Sequence, residues 1–145
     1  MPVEFCDTNI LIYAYDRSAG PKRVVAQDLL DRLWQSRNGA VSIQGLQELA
    51  VWLIRKASEE LSYDKMRVIV SDLGVWHVVA PSANDVVVAL DHARRWQLSF
   101  WDAMIVAAAN GARADILWSE DLNDGQNYGG VVVRNPFRID RAVAH

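Results

Sequence analysis

The sequence contains one cysteine, Cys6, so no disulfide can form within the chain and a reducing compartment suits it. It has no long apolar run. The longest, Ala103 to Ala109, spans seven residues, where a membrane-spanning helix needs about 20. Only three histidines are present, with no H-x-x-H or similar pair, which disfavours zinc or imidazole chemistry. Neither G-x-x-x-x-G-K-[ST] nor G-x-G-x-x-G occurs, which disfavours a nucleotide cofactor. Internal repeats, low-complexity tracts and linkers are missing as well. No Ser-His-Asp arrangement is legible. The opening residues, Met-Pro-Val-Glu-Phe-Cys-Asp, place acids where a signal or transit peptide has none. The expectation is a cytoplasmic protein with no membrane contact.

What is present suits a globular enzyme. A chain of 145 residues that is 51% hydrophobic predicts one domain, residues 1–145, with a sizeable core. Net charge is −3, from 15 bases and 18 acids. A passive nucleic-acid coat would be basic. Yet twelve of the bases are arginine, the fork-shaped donor suited to phosphates. If four acids served a metal, fourteen would remain against fifteen bases, so the net charge does not exclude an RNA substrate.

Short apolar segments alternate with helical ones. Val3 to Cys6 reads as a strand, and Ile10 to Tyr15 as a short helix capped by the polar residues before it. Lys22 to Arg37 has helical spacing, closed by Asn38-Gly39. Ala40 to Ile43 reads as a buried strand and Gln44 to Ala57 as a helix apolar nearly all round. Tyr63 to Leu73 predicts a helix and His77 to Ala80 a strand. Ser82 and Asp85 form a capping box for a helix through Trp96. Ser99 opens a helix to about Ala112, followed by strands at Asp115–Ser119 and Val131–Arg134, with a turn at Asn123-Asp124-Gly125. Strands separated by helices imply a parallel sheet with helices on both faces.

Four acids fall at equivalent places. Asp7 ends the first strand, Glu48 and Asp102 lie in the opening turns of apolar helices, and Asp121 directly follows a strand. In an open parallel sheet, strand carboxyl ends and the following helix amino ends share one edge, where ligands bind. Helix amino ends favour an acid by about 0.3–1 kcal/mol each, too little to hold four carboxylates together. Clustered carboxylates resist joint ionisation, and a divalent cation removes the conflict. Oxygen donors without a Cys or His partner favour Mg²⁺ or Mn²⁺. Each acid also has a plainer reading: Asp7 a helix cap, Asp102 half of a capping box with Ser99, Glu48 a solvated side chain, Asp121 turn composition.

The segments VEFCDTNILIYAYD, VSIQGLQELAVWL, LSFWDAMIVAAA and ILWSEDLNDGQNYGGVVVRNPF resemble, in this order and spacing, the motifs of the PIN-domain family of nucleases, especially the VapC-type toxins of toxin–antitoxin pairs. The resemblance runs from residue 3 to about 137. It implies a three-layer α/β/α fold with a central, mostly parallel sheet flanked by helices. It implies a metal-dependent endoribonuclease in which Asp7, Glu48, Asp102 and Asp121 bind one or two Mg²⁺ or Mn²⁺ ions. Asn9 and Ser119 match the polar positions that support such a site. Asp124 is a possible fifth acid, and which of Asp121 and Asp124 faces the metal stays open. The implied partners are RNA, a VapB-like antitoxin and a second copy of the chain.

Other residues have milder claims. Arg17, Arg23 and Trp101 could line a substrate groove, Trp101 because it neighbours Asp102; the remaining tryptophans read as packing. The basic clusters, including Arg134/Arg138/Arg141, read as solvated faces. Asp16 and Glu120 read as facing solvent, and Cys6 as a buried apolar residue. Two competing functions stand beside the nuclease. One is a catalytically silent nucleic-acid-binding or scaffold module on the same fold. The other is a phosphotransfer receiver domain, which wants a paired acidic start and a late lysine; this chain has no lysine after Lys65.

Overall fold

The structure is a computed structural model that describes residues 2–57 and 59–138; Arg141 of the last basic cluster lies outside them. Strand β1 (Glu4–Cys6) leads into α1 (Thr8–Tyr15) and α2 (Pro21–Ser36), with a short 3₁₀ turn between the helices. Then follow β2 (Gly39–Ser42), α3 (Ile43–Lys56), α4 (Tyr63–Leu73), β3 (His77–Val79), α5 (Ala83–Trp96) and α6 (Phe100–Gly111). The chain closes with β4 (Ile116–Trp118), β5 (Asn127–Tyr128) and β6 (Val131–Arg134). The sheet order is β3-β2-β1-β4-β6-β5, parallel throughout except for β5 against β6.

Period-two alternation along the central strands builds the three layers. Cys6, Val41 and Trp118 point to one face, where they meet Ile10, Leu11, Leu30, Leu33, Leu49 and Leu53 of α1, α2 and α3. Phe5, Ala40 and Leu117 point to the other, against Ile105, Val106 and Ala109 of α6. Helix α6 is apolar all round because it is covered twice, by the sheet and by α5 through Ala89, Ala103 and Met104. This is the three-layer α/β/α arrangement expected from the alternation of elements.

Three expectations need correcting. First, α2 does not end on Asn38-Gly39. Arg37 takes the left-handed position at φ 60°, and Gly39 is already in β2. A Cβ on Gly39 would stand 2.4 Å from the Trp76 ring, so glycine there serves a close approach and not a cap. Second, α3 is not buried all round: Val51 and Ile54 are 47% and 45% exposed. Its inner stripe, Leu46, Leu49 and Leu53, is what the sheet covers. Third, a strand was missed. Gly129 and Gly130, at φ +66° and +110°, make a two-residue hairpin loop between β5 and β6. Both positions demand positive φ, which Gly-Gly supplies without steric cost.

Candidate active site

Strands β1 and β4 are neighbours, but the chain reaches β4 only after building β2 and β3 on the other side of β1. Such a reversal opens a crevice at the carboxyl ends of the two strands. Asp7 stands there, directly after β1. Its backbone amide donates to the Trp118 carbonyl at 3.0 Å, extending the pairing one residue beyond the strand. Its side chain is buried. Oδ1 caps α1 by accepting from the Thr8 amide at 2.7 Å, and Oδ2 accepts from the Ser119 hydroxyl at 2.9 Å. Capping therefore uses one oxygen and leaves the other turned to the end of β4.

Ser119 is fully buried, and its Oγ also accepts from the Asp121 amide at 3.2 Å. One hydroxyl thus ties Asp7 to the turn that carries Asp121. The Asp121 carboxylate in turn accepts from the Asn9 amide nitrogen at 2.7 Å. Ser119 thus bonds to both acids, and Asn9 to Asp121. Asp102 enters from the first turn of α6. Its backbone amide donates to Ser99 Oγ at 3.1 Å, but its carboxylate makes no hydrogen bond among the described residues. At Ser82–Asp85 both arms of the capping box form. At Ser99–Asp102 only one does, so the Asp102 carboxylate is free for other work.

The three acids share one electrostatic field. The Asp7 carboxyl is pushed up to about 6, first by burial; the hydrogen bonds from Ser119 and Thr8 pull it back, and the charges of Asp121 and Asp102 push it further up. Asp121 is raised by burial and by Asp102 and Glu120, with Lys22 opposing. Among the described residues no lysine or arginine pairs with Asp7, Asp102 or Asp121. A carboxylate-only set, two of whose members, Asp7 and Asp121, are raised, and which no lysine or arginine neutralises among the described residues, fits a hard divalent ion by its donor chemistry. The set is open: among the described residues, no three His, Cys, Asp or Glu side chains stand close enough to enclose a metal.

Two sequence candidates stand apart. Helix α3 starts at the same edge, and its Gly45 approaches α1 so closely that a Cβ there would be 3.4 Å from Thr8 Oγ1. Glu48 lies one turn farther along α3 but is exposed, accepting from the Gln44 side chain at 2.8 Å. Asp124 is engaged elsewhere, accepting from the Asn135 amide at 2.9 Å and so pinning its turn to the end of β6. Asp16 caps the 3₁₀ turn through Ser18.

Glu120 does not face solvent as the sequence suggested. It accepts from the Tyr13 hydroxyl at 2.6 Å and is paired with the Lys22 ammonium. Arg17 pairs with Glu60 at 3.2 Å, beside a groove lined by Tyr15, Trp52 and Lys56. The Arg23 Nε is buried and has no hydrogen-bond partner among the described residues. Trp101 is 62% exposed next to Asp102. One network has no signal in the sequence: the half-exposed Arg32 grips the buried Glu4 with two bonds, at 3.0 and 2.8 Å, while Trp118 Nε1 donates to the same carboxylate at 2.8 Å.

The family model of the PIN domain matches residues 5–123. Solved structures share the fold. A toxin–antitoxin complex from Klebsiella pneumoniae is 22% identical, covering 92% of this chain and 97% of that one, with a TM-score of 0.69. A sarcin–ricin-loop-cleaving VapC toxin of Mycobacterium tuberculosis is 20% identical over 81% of this chain and 89% of that one, TM-score 0.58. A VapBC complex of Rickettsia felis bound to a promoter DNA fragment is 16% identical over 92% and 98%, TM-score 0.63. No curated protein sequence matches the chain.

Proposed function

The chain belongs to the PIN-domain family, and on that premise we propose that it is a Mg²⁺- or Mn²⁺-dependent endoribonuclease, the toxin of a VapBC-type pair. One observation carries this reading: a buried Asp7, at the switch point of the sheet, bonded to Ser119 and lying in the field of Asp102 and Asp121. Asp7, Asp102 and Asp121 would hold one or two ions, with Glu48 as the fourth acid on α3. Asp121 fits the closing position better than Asp124, whose carboxylate already serves Asn135. When bound, the ion supplies Lewis-acid activation of water and offsets charge on the scissile phosphate.

The chain's own residues supply placement. The Thr8 amide and Ser119 hydroxyl fix both oxygens of Asp7. Asn9 orients Asp121. The exposed Trp101 ring beside Asp102 offers a stacking surface for a base, and Arg17 and Arg23 offer phosphate contacts. Hydrolysis would leave 5′-phosphate and 3′-hydroxyl ends.

The protein is read as cytoplasmic, one domain over 1–145, homodimeric and held by a VapB-like antitoxin. Solved relatives that are toxin–antitoxin complexes support a partner. So does the apolar groove between α3 and α4, lined by Ala50, Ile54, Tyr63, Met66 and Val70.

The test is incubation of total cellular RNA with purified, antitoxin-free protein and Mn²⁺. Discrete fragments with 5′-phosphates, lost with EDTA and in Asp7→Asn, are expected. A folded wild-type protein that cleaves nothing at any divalent metal would sink the proposal and favour a catalytically silent nucleic-acid-binding or scaffold module. The openness of the acid set is the observation on that side.

A further inference from the structure

Glu120 is flanked in sequence by the two residues that connect the end of β4 to Asp7 and Asn9. Its own carboxylate points the other way, into a clamp made by three distant parts of the chain. Tyr13 of α1 donates to Oε1 at 2.6 Å, and Lys22, in the first turn of α2, donates to Oε2. The Lys22 ammonium also lies 5.1 Å from the Tyr13 ring centroid and 5.4 Å from that of Phe137. Those two rings pack edge to face at 5.3 Å. Cation and carboxylate therefore meet against an aromatic corner, with 44% of the Lys22 side chain and 23% of the Glu120 side chain still exposed.

An isolated surface ion pair adds little stability. This one has a different use. Residues 119–121 leave the sheet after β4, and among the described residues the backbone ladder holds them only through the Ser119 amide bond to the Arg134 carbonyl at 3.0 Å. Inward, Ser119 and Asp121 bind Asp7 and Asn9; outward, Glu120 is the anchor between them.

We infer that Lys22 and Tyr13 are positioning residues: by gripping Glu120 they set the 119–121 turn, and so place the Ser119 hydroxyl and the Asp121 carboxylate against Asp7 and Asn9. This rests on the proposed metal-dependent reading for its catalytic meaning, but not for its geometry.

The test compares wild type with Lys22→Met, Tyr13→Phe, Glu120→Gln and the swapped pair Lys22→Glu/Glu120→Lys. Three quantities are read: the melting temperature, amide hydrogen exchange at Ser119 and Asp121, and Mn²⁺ affinity by electron paramagnetic resonance. The single variants are expected to keep the melting temperature within a few degrees, to speed exchange at Asp121, and to weaken Mn²⁺ binding about 10–100-fold, the usual cost of losing an outer support of a metal ligand. The swapped pair is expected to recover part of the affinity, which general destabilisation would not do. Unchanged exchange at Asp121 in Lys22→Met and Glu120→Gln would overturn the inference, as would exchange that rises equally across the whole sheet. A wild-type protein that binds no Mn²⁺ would overturn the metal reading instead; the clamp would then stand or fall on the exchange data alone.

Discussion

Replacing Asp7 with Asn should stabilise the metal-free protein at alkaline pH while removing its activity. The Asp7 carboxyl is pushed up to about 6 in the folded state, against about 3.9 in an unfolded chain. A carboxyl raised on folding favours the protonated native form. Stability is therefore lowest above pH 6, rises as pH falls through the folded value, and levels off below the unfolded value. The gap of about two units corresponds to about 3 kcal/mol of charge burial borne at pH 8. Asn removes that cost. It also loses one good acceptor: the amide oxygen can serve Thr8, but the Ser119 hydroxyl, which already accepts from Asp121, must find a new arrangement, at about 1 kcal/mol.

The net expectation is about 2 kcal/mol of stabilisation at pH 8 in EDTA, equivalent to about 4–8 °C in melting temperature for a chain of this length. Near pH 4 the charge contribution disappears and Asn should be slightly destabilising. Urea denaturation of both proteins from pH 4 to 8 reads this directly. A difference between wild type and Asp7→Asn that is the same at every pH would refute the claim that the acids crowd one another in a buried site.

Excess Mn²⁺, at about 100 times its dissociation constant, should add about 2.7 kcal/mol to wild type and far less to Asp7→Asn, read as a thermal shift reversed by EDTA. Gly39→Ala should destabilise by about 1–3 kcal/mol through overpacking against the Trp76 ring, and Trp76→Leu in the same chain should recover much of the loss in a denaturant titration. Arg32→Ala should cost about 2 kcal/mol, because it leaves the buried Glu4 carboxylate with Trp118 as its remaining side-chain donor. Since Arg32 and Trp118 hold Glu4 below its usual range, the wild-type advantage over Arg32→Ala should fade as pH drops below about 4.

Much of the fold could be read because its signals are local. Tyr63–Leu73 and the Ser82–Asp85 capping box carry their own start signals and appear where the periodicity places them. Strand–helix alternation alone places Asp7, Glu48, Asp102 and Asp121 at one edge; in the structure Asp7, Asp102 and Asp121 share an electrostatic field there, while Glu48 is exposed and bonded to Gln44. Misreadings arose where a distant residue decides. Gly39 looks like a helix stop until the Trp76 ring is seen against it. Asn38 and Gly39 also hid the fact that Arg37 itself takes the left-handed position.

The hairpin at Gly129-Gly130 has a local signal, a Gly-Gly pair between Tyr128 and Val131, but β5 itself is only two residues long, too short to show an alternation. Helix α3 shows the limit of hydrophobic patterning. Apolar residues on its outer face mean burial only if something covers them, and none of the described residues covers Val51 and Ile54. Glu120 is the sharpest case. Its partner Lys22 lies 98 residues away, and no composition or period connects them.

The central claim is that Asp7, Asp102 and Asp121 form a divalent-metal site at the carboxyl edge of the sheet. Its most direct test is an anomalous-difference map from crystals of the protein grown with Mn²⁺. The account predicts one or two peaks among these three carboxylates, with Glu48 turned away from Gln44 toward them. A fully ordered crevice with no peak, or a peak held by other residues alone, would contradict it.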